Sequence, residues 1–275
     1  MTCQFETPTF IYYSYSIAIA LGLALGFLIL WKDRKSEVNR SAFYFILALM
    51  LWTINDYIMW MVHDAELNLF LFRISVFADA VFLLFLYFAY AFSGKPLEFR
   101  KKILWAVPLI PNFILFFSDI NVRIHDLATC SFADGPIIYY AFILDAFYVL
   151  WSTKVLLGID YKKAFWAAKY QTRLLISSIW IFTLASFAYW VSWSETFLAE
   201  TSCYFILCSL LSIFLIALAI IKWELFNFKT VLTMGFSIFI ITAIFLTMFL
   251  FSISAFFTGF LIFMYLLIVL IYWKM

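Results

Sequence analysis

Four ionisable residues fall inside apolar runs of this chain: Asp56, Arg73, Asp79 and Asp145. A charge in hydrocarbon costs at least about 2.5 kcal/mol on insertion scales, so each of them asks for a partner or a function. Asp56 and Arg73 lie at similar depth on sequence-adjacent runs, given a rise of about 1.5 Å per helical residue. They could form an ion pair that clamps two helices, or they could meet a ligand. Asp79 is six residues beyond Arg73 and so on a different helical face, and Asp145 is near the middle of its own run. Together these two carboxyls could form a proton or cation site, as acidic relays do in transporters. Alternatively they keep their protons and hydrogen-bond, since burial disfavours the charged form.

Other chemistry is excluded by inspection. The sequence contains no HExxH helix, no GxSxG or intramembrane Gly-x-Ser-Gly, no paired Asp in a GxGD setting and no Gly-rich phosphate loop. Its only histidines, His63 and His125, fall in connections between runs, which leaves no cytoplasmic phosphoacceptor. No lysine lies mid-run to carry a retinal Schiff base. The expectation is a non-enzyme that needs neither cofactor nor metal.

The elements that must hold these residues are membrane helices. Of 275 residues 67% are hydrophobic and 12% charged, against nearer half and a quarter in soluble domains. Unbroken apolar runs point to helices rather than to the short alternating segments of a barrel. We expect an all-α polytopic bundle of about nine spans, near 9–31, 42–62, 69–92, 103–118, 137–157, 174–193, 203–222, 231–252 and 257–273. Pro108 and Pro111 predict a kink in the fourth. The first span runs to full length and ends in a basic cluster, unlike a cleavable signal peptide.

Basic residues alternate strictly between connections. They follow spans one (Lys32, Arg34, Lys35, Arg40), three (Lys95, Arg100, Lys101, Lys102) and five (Lys154, Lys162, Lys163, Lys169, Arg173). Lys222 and Lys229 follow span seven and Lys274 closes the chain, so 16 of the 18 share one face, all but Arg73 and Arg123. The positive-inside rule makes that face cytoplasmic, with the N-terminus outside and the C-terminus inside. Tyr12, Tyr13, Trp31, Trp60, Trp193, Trp223 and Trp273 stand near span ends as interfacial anchors would. The opposite face is acidic, and its longest connection, about 118–136, carries His125 and Cys130. An oxidising exterior would allow a bridge from Cys130 to Cys203, with Cys3 in competition and free thiols as the alternative; Cys208 is expected to be buried. Gly22 and Gly26 form a GxxxG surface for close approach of a helix, either within the chain or from a second copy.

Five segments, in order, carry a resemblance. Asn39-Arg40 precedes the Leu- and Trp-containing run Phe45-Ile-Leu-Ala-Leu-Met-Leu-Trp52. Pro111 leads to Ser118-Asp-Ile-Asn121 and His125. Gly135-Pro136-Ile-Ile-Tyr139-Tyr140 opens the fifth span, and Lys169-Tyr170-Gln171-Thr-Arg173 closes the following connection. The seventh span ends in Ala219-Ile-Ile-Lys222-Trp223-Glu-Leu225-Phe226-Asn227. Over about residues 10–230 the chain resembles the N-terminal seven-helix (7TM) sensor region of bacterial histidine kinases. It departs in the spacing from Asn121 to His125, one residue longer than the family's Thr-Asn-x-x-His. A second departure is a hairpin, about 231–273, where PAS and kinase domains usually follow.

The resemblance implies a seven-helix sensor-like region, 1–230, and an added hairpin, 231–275. It implies a sensory signal-input module of a two-component system in a bacterial cell membrane, either a fragment of a longer kinase or a stand-alone module. Asp56, Arg73 and His125 would line its outer ligand region. The expected partners are the bilayer, an unidentified small ligand, and a cytoplasmic kinase or a second copy of the chain; nucleic acid is not among them. The alternative is a small ion-coupled transporter working through Asp79 and Asp145. Against it stand an odd span count, no internal repeat and few Gly or Pro interruptions.

Overall fold

Two short polar side chains start two of the helices. Ser36 accepts from the Asn39 amide and Asp64 from the Leu67 amide at 2.8 Å, which satisfies N-terminal N–H groups that have no carbonyl one turn back. In the computed structural model, residues 7–95, 97–118, 122–126, 131–159, 166–192 and 198–220 are described, all within one compact unit. Its elements are α1 (Thr9–Lys32), α2 (Glu37–Met61), α3 (Ala65–Ile74), α4 (Ala78–Phe92), α5 (Phe99–Ala106), α6 (Ile110–Leu115), α7 (Ile137–Leu157), α8 (Trp166–Ser192) and α9 (Leu198–Ile220). Single turns of 3₁₀ helix join α3 to α4 at Ser75–Phe77 and α5 to α6 at Val107–Leu109.

Five helical stretches are long and apolar enough to cross a membrane: Thr9–Lys32, Glu37–Met61, Ala65–Phe92, Ile137–Leu157 and Lys169–Tyr189. A shorter apolar stretch, Tyr204–Ile220, lies in α9. The architecture is therefore helical and membrane-compatible, with a described count below the nine expected. The spans expected at 231–252 and 257–273 lie outside the described residues. The fourth expected span is a chain of short pieces, because Pro108 and Pro111 each remove a backbone donor. Tyrosines of α7 meet carbonyls along it: Tyr148 donates to Trp105 O at 2.7 Å and Tyr140 to Pro108 O at 2.9 Å.

A correction concerns the connection at 118–136, read as loop. It holds an antiparallel pair, β1 (Val122–Asp126) and β2 (Ser131–Asp134), lying against α3. The alternation Val122-Arg-Ile-His-Asp126 is a half-polar strand pattern and was there to be read. The ladder shifts register between Ile124 and Asp126, so His125 stands at a bulge.

Gly22 and Gly26 face α2. A Cβ at Gly22 would collide with Met50 Sδ, and one at Gly26 would stand 3.1 Å from Ile46 Cγ2. As the number rises on α1 it falls on α2, so the two helices are antiparallel. Asn39 closes the pair by donating from Nδ2 to Ile29 O at 3.0 Å. Of the two partners left open for the small-residue stripe, the one it meets is within the chain, α2. Gly22→Leu is expected to destabilise the purified protein by about 2 kcal/mol through overpacking, with its oligomeric state unchanged in sedimentation. A variant as stable as the parent would mean that α1 and α2 do not meet here.

The core is aromatic. Phe182 of α8 touches Phe45, Trp52, Phe82 and Phe205, with ring centroids 5.2–6.5 Å apart, the range of favourable edge and tilted contacts. Outside it, Leu104, Ile114, Ile143 and Leu150 are largely exposed, as a lipid-facing surface requires. At one end Lys102 pairs with Glu37 at 3.4 Å, and Trp151 donates to Tyr90 Oη at 2.9 Å beneath Lys154. The basic connections after α1 and α4 and the basic end of α7 thus meet at a common end of the bundle.

Candidate functional site

Asp56 is 5% exposed and belongs to α2, but its partners come from elsewhere. Tyr15 of α1 donates to Oδ2, and Tyr189 of α8 donates to Oδ1 at 2.9 Å. Tyr189 is in turn hydrogen-bonded to Ser202 of α9. Tyr57 stacks on Tyr15, and Phe205 stacks on Tyr189 with centroids 5.3 Å apart. One carboxyl therefore ties four helices together. Buried polar groups demand such partners, because lipid offers none.

The ion pair expected between Asp56 and Arg73 is absent. Successive side chains on a helix point about 100° apart. It is the neighbouring Asn55 that faces α3, donating to Leu71 O at 3.0 Å, while Asp56 turns towards α1 and α8. Arg73, in the last turn of α3, is partly buried just before the 3₁₀ turn.

Asp79 and Asp145 do come together. Both line a cavity of about 220 Å³ between α4, α7 and α8, and they are close enough to interact electrostatically. Asp79 lies in the first turn of α4, just after the 3₁₀ turn, and Ser75 and Val76 of that turn line the same cavity. Asn112, fully buried on α6, donates from Nδ2 to Asp79 Oδ2. Two acceptors here lack any hydrogen-bond donor among the described residues, Asn112 Oδ1 and Asp145 Oδ1.

The lining hydroxyls are no help to those acceptors. Ser75, Thr183 and Ser186 donate to Phe72 O, Ile179 O and Phe182 O at 2.6, 2.7 and 2.9 Å. Each proton is used one turn back, so what these side chains have left for the cavity is lone pairs. Much of the remaining wall is aromatic, including Trp52, Phe82, Phe142 and Phe187. Among the described residues no three His, Cys, Asp or Glu side chains gather to hold a metal ion.

The sequence-expected residues thus distribute as follows. Asp79 and Asp145 share one cavity; Asp56 heads a separate network; His125 lies on the hairpin. Cys130 and Cys3 lie outside the described residues, as does the side chain of Cys203, while Cys208 is a buried free thiol. Tyr15, Tyr189 and Asn112 went unnoticed in the sequence. The tyrosines look like interfacial anchors, and only Asn112, a polar amide in an apolar run, gave a signal. No protein-family model, curated protein or solved structure matches the chain.

Proposed function

We propose that this protein is a membrane-embedded signal-input module, acting as the seven-helix regions of two-component histidine kinases do and catalysing no reaction. The observation that carries the reading is the 3₁₀ turn at Ser75–Phe77. It interrupts the third span in mid-course and lines the cavity that holds Asp79 and Asp145. A 3₁₀ stretch within a long helix often marks a hinge. Occupancy of the cavity would bias the joint between α3 and α4, and a ligand shifts such an equilibrium only by its differential affinity for the two packings. The common basic end supports placing that end in the cytoplasm of a bacterial cell, with the N-terminus outside and the output inside.

A second reading, a small ion-coupled carrier, draws on the same interruptions. Discontinuous spans beside mid-membrane carboxylates are a transporter feature; the fourth span is in short pieces near Asp79, and the third carries a 3₁₀ turn there.

One preparation tests both. With the four native cysteines replaced by serine, spin labels are placed at Lys35 and Lys101, exposed near the basic end. Neutralising the cavity in Asp79→Asn plus Asp145→Asn stands in for occupancy. The signal-input reading expects the inter-label distance distribution to shift by several ångströms and no solute uptake by sealed vesicles. Uptake lost in Asp145→Asn would establish the carrier instead, and an unmoved distribution would remove the hinge.

A further inference from the structure

The cavity's chemistry is lopsided. Its carboxyls, Asp79 and Asp145, and the Asn112 amide oxygen behind them are acceptors, and one oxygen each of Asp145 and Asn112 is buried without a donor. Three hydroxyls on its wall have given their protons to backbone carbonyls. Apart from the Trp52 indole and any proton the two carboxyls hold between them, the lining side chains offer a guest no hydrogen to share. A buried acceptor left without a donor costs about 1–3 kcal/mol, and the one on the cavity wall, Asp145 Oδ1, beside a second carboxyl calls for a guest rich in N–H groups. A positively charged guest would let the two facing carboxyls give up to bulk water the proton they otherwise share.

Size and lining narrow the guest further. A cavity of about 220 Å³ has room for about seven water-sized groups, far more than a bare alkali cation fills. The aromatic faces of Trp52, Phe82, Phe142 and Phe187 would attract a cation and pack against an apolar body. With only two carboxyls and no third His, Cys, Asp or Glu among the described residues, the site is poorly built for a divalent metal. We infer that this cavity binds a small organic ammonium ion, one that carries N–H groups on an apolar or aromatic body, with its nitrogen between Asp79 and Asp145.

This assignment deepens the signal-input reading by naming the class of ligand, and rests on that reading only for what binding is used for. The Asn112 amide is a positioning group. By donating to Asp79 Oδ2 from behind the cavity wall, it leaves the second oxygen of that carboxyl to receive the guest. The hydroxyls of Ser75, Thr183 and Ser186 add acceptors from the 3₁₀ turn and from α8, so that a bound ammonium would touch the turn itself, α4 and α8.

The test is calorimetric titration of the full chain in nanodiscs with 2-phenylethylammonium. Sodium, tetramethylammonium and the neutral isostere 2-phenylethanol serve as comparison probes. Saturable binding of 2-phenylethylammonium is expected, at least tenfold tighter than of 2-phenylethanol and of tetramethylammonium, which has no N–H. Asp79→Asn and Asp145→Asn should each weaken it at least tenfold, while Lys101→Ala, on the exposed basic end, leaves it unchanged. Equal binding of alcohol and ammonium, saturation by sodium alone, or no saturable heat from any probe would overturn the assignment. The comparison of probes needs no variant, so a substitution that fails to fold leaves the question decidable. The spin-label experiment above uses no ligand, so each idea can fail without the other.

Discussion

Replacing Asp56 by alanine is expected to cost about 3 kcal/mol of stability, the largest single loss anticipated for this bundle. Hydrogen bonds inside membranes are individually weak, averaging about 0.6 kcal/mol in double-mutant cycles, so two lost bonds alone would cost little more than 1. The larger share comes from what is left behind. The hydroxyls of Tyr15 and Tyr189 lose a buried acceptor at the meeting of α1, α2 and α8, and an unsatisfied buried group costs about 1–3 kcal/mol. Ser202 gives Tyr189 a partial refuge, which holds the combined loss to about 3 kcal/mol. Asp56→Asn keeps a carbonyl acceptor and should lose less than half as much. Tyr15→Phe and Tyr189→Phe should lose about 1 kcal/mol each. Reversible unfolding from bicelles, followed by circular dichroism, measures all four. An Asp56→Ala protein within 1 kcal/mol of the parent would show that the network does not hold the helices together.

Phe182→Ala should come next, at about 2–3 kcal/mol. In a water-soluble core the same change costs about 3–5 kcal/mol, part of it the transfer of a ring out of water. Here that part largely vanishes, because an unpacked Phe182 would still lie in hydrocarbon. What remains is lost contact with Phe45, Trp52, Phe82 and Phe205 across four helices and the void left among them. Ile143→Ala is the control: that side chain is 70% exposed on the lipid face, and its loss should change stability by less than about 0.5 kcal/mol. The same unfolding experiment reads both. Equal losses at the two positions would mean that the aromatic cluster is no better packed than the lipid boundary.

Much of the helical layout could be read from the chain itself. The fifth expected span, 137–157, coincides with α7 (Ile137–Leu157), and the first, 9–31, ends one residue short of α1 (Thr9–Lys32). Hydropathy summed over about 20 residues is a strong local signal, and lysines cannot be hidden in lipid. Errors arose where local signals were weak. The second helix begins at Glu37, well before its apolar run, because Ser36 caps it and Asn39 anchors it. The third span is one helical stretch as expected, but it tightens to a 3₁₀ turn at Ser75-Val-Phe77, where no Gly or Pro signals it. The fourth was legible as kinked through its prolines, though not as three pieces.

Composition and order by themselves determined that this protein is helical, apolar and charged asymmetrically. Those properties depend on each segment's own contact with lipid or water, and no neighbour can reverse them. Tertiary structure alone decided which residues meet. It turned Asp56 to Tyr15 and Tyr189 instead of Arg73, closed Gly22 and Gly26 against Met50 and Ile46, and set Asp79 and Asp145 around one cavity. Each of those outcomes depends on how a helix is rotated about its axis and how deep it sits. A turn of about 100° exchanges one residue for the next, and only the packing of all the helices against one another selects among such rotations.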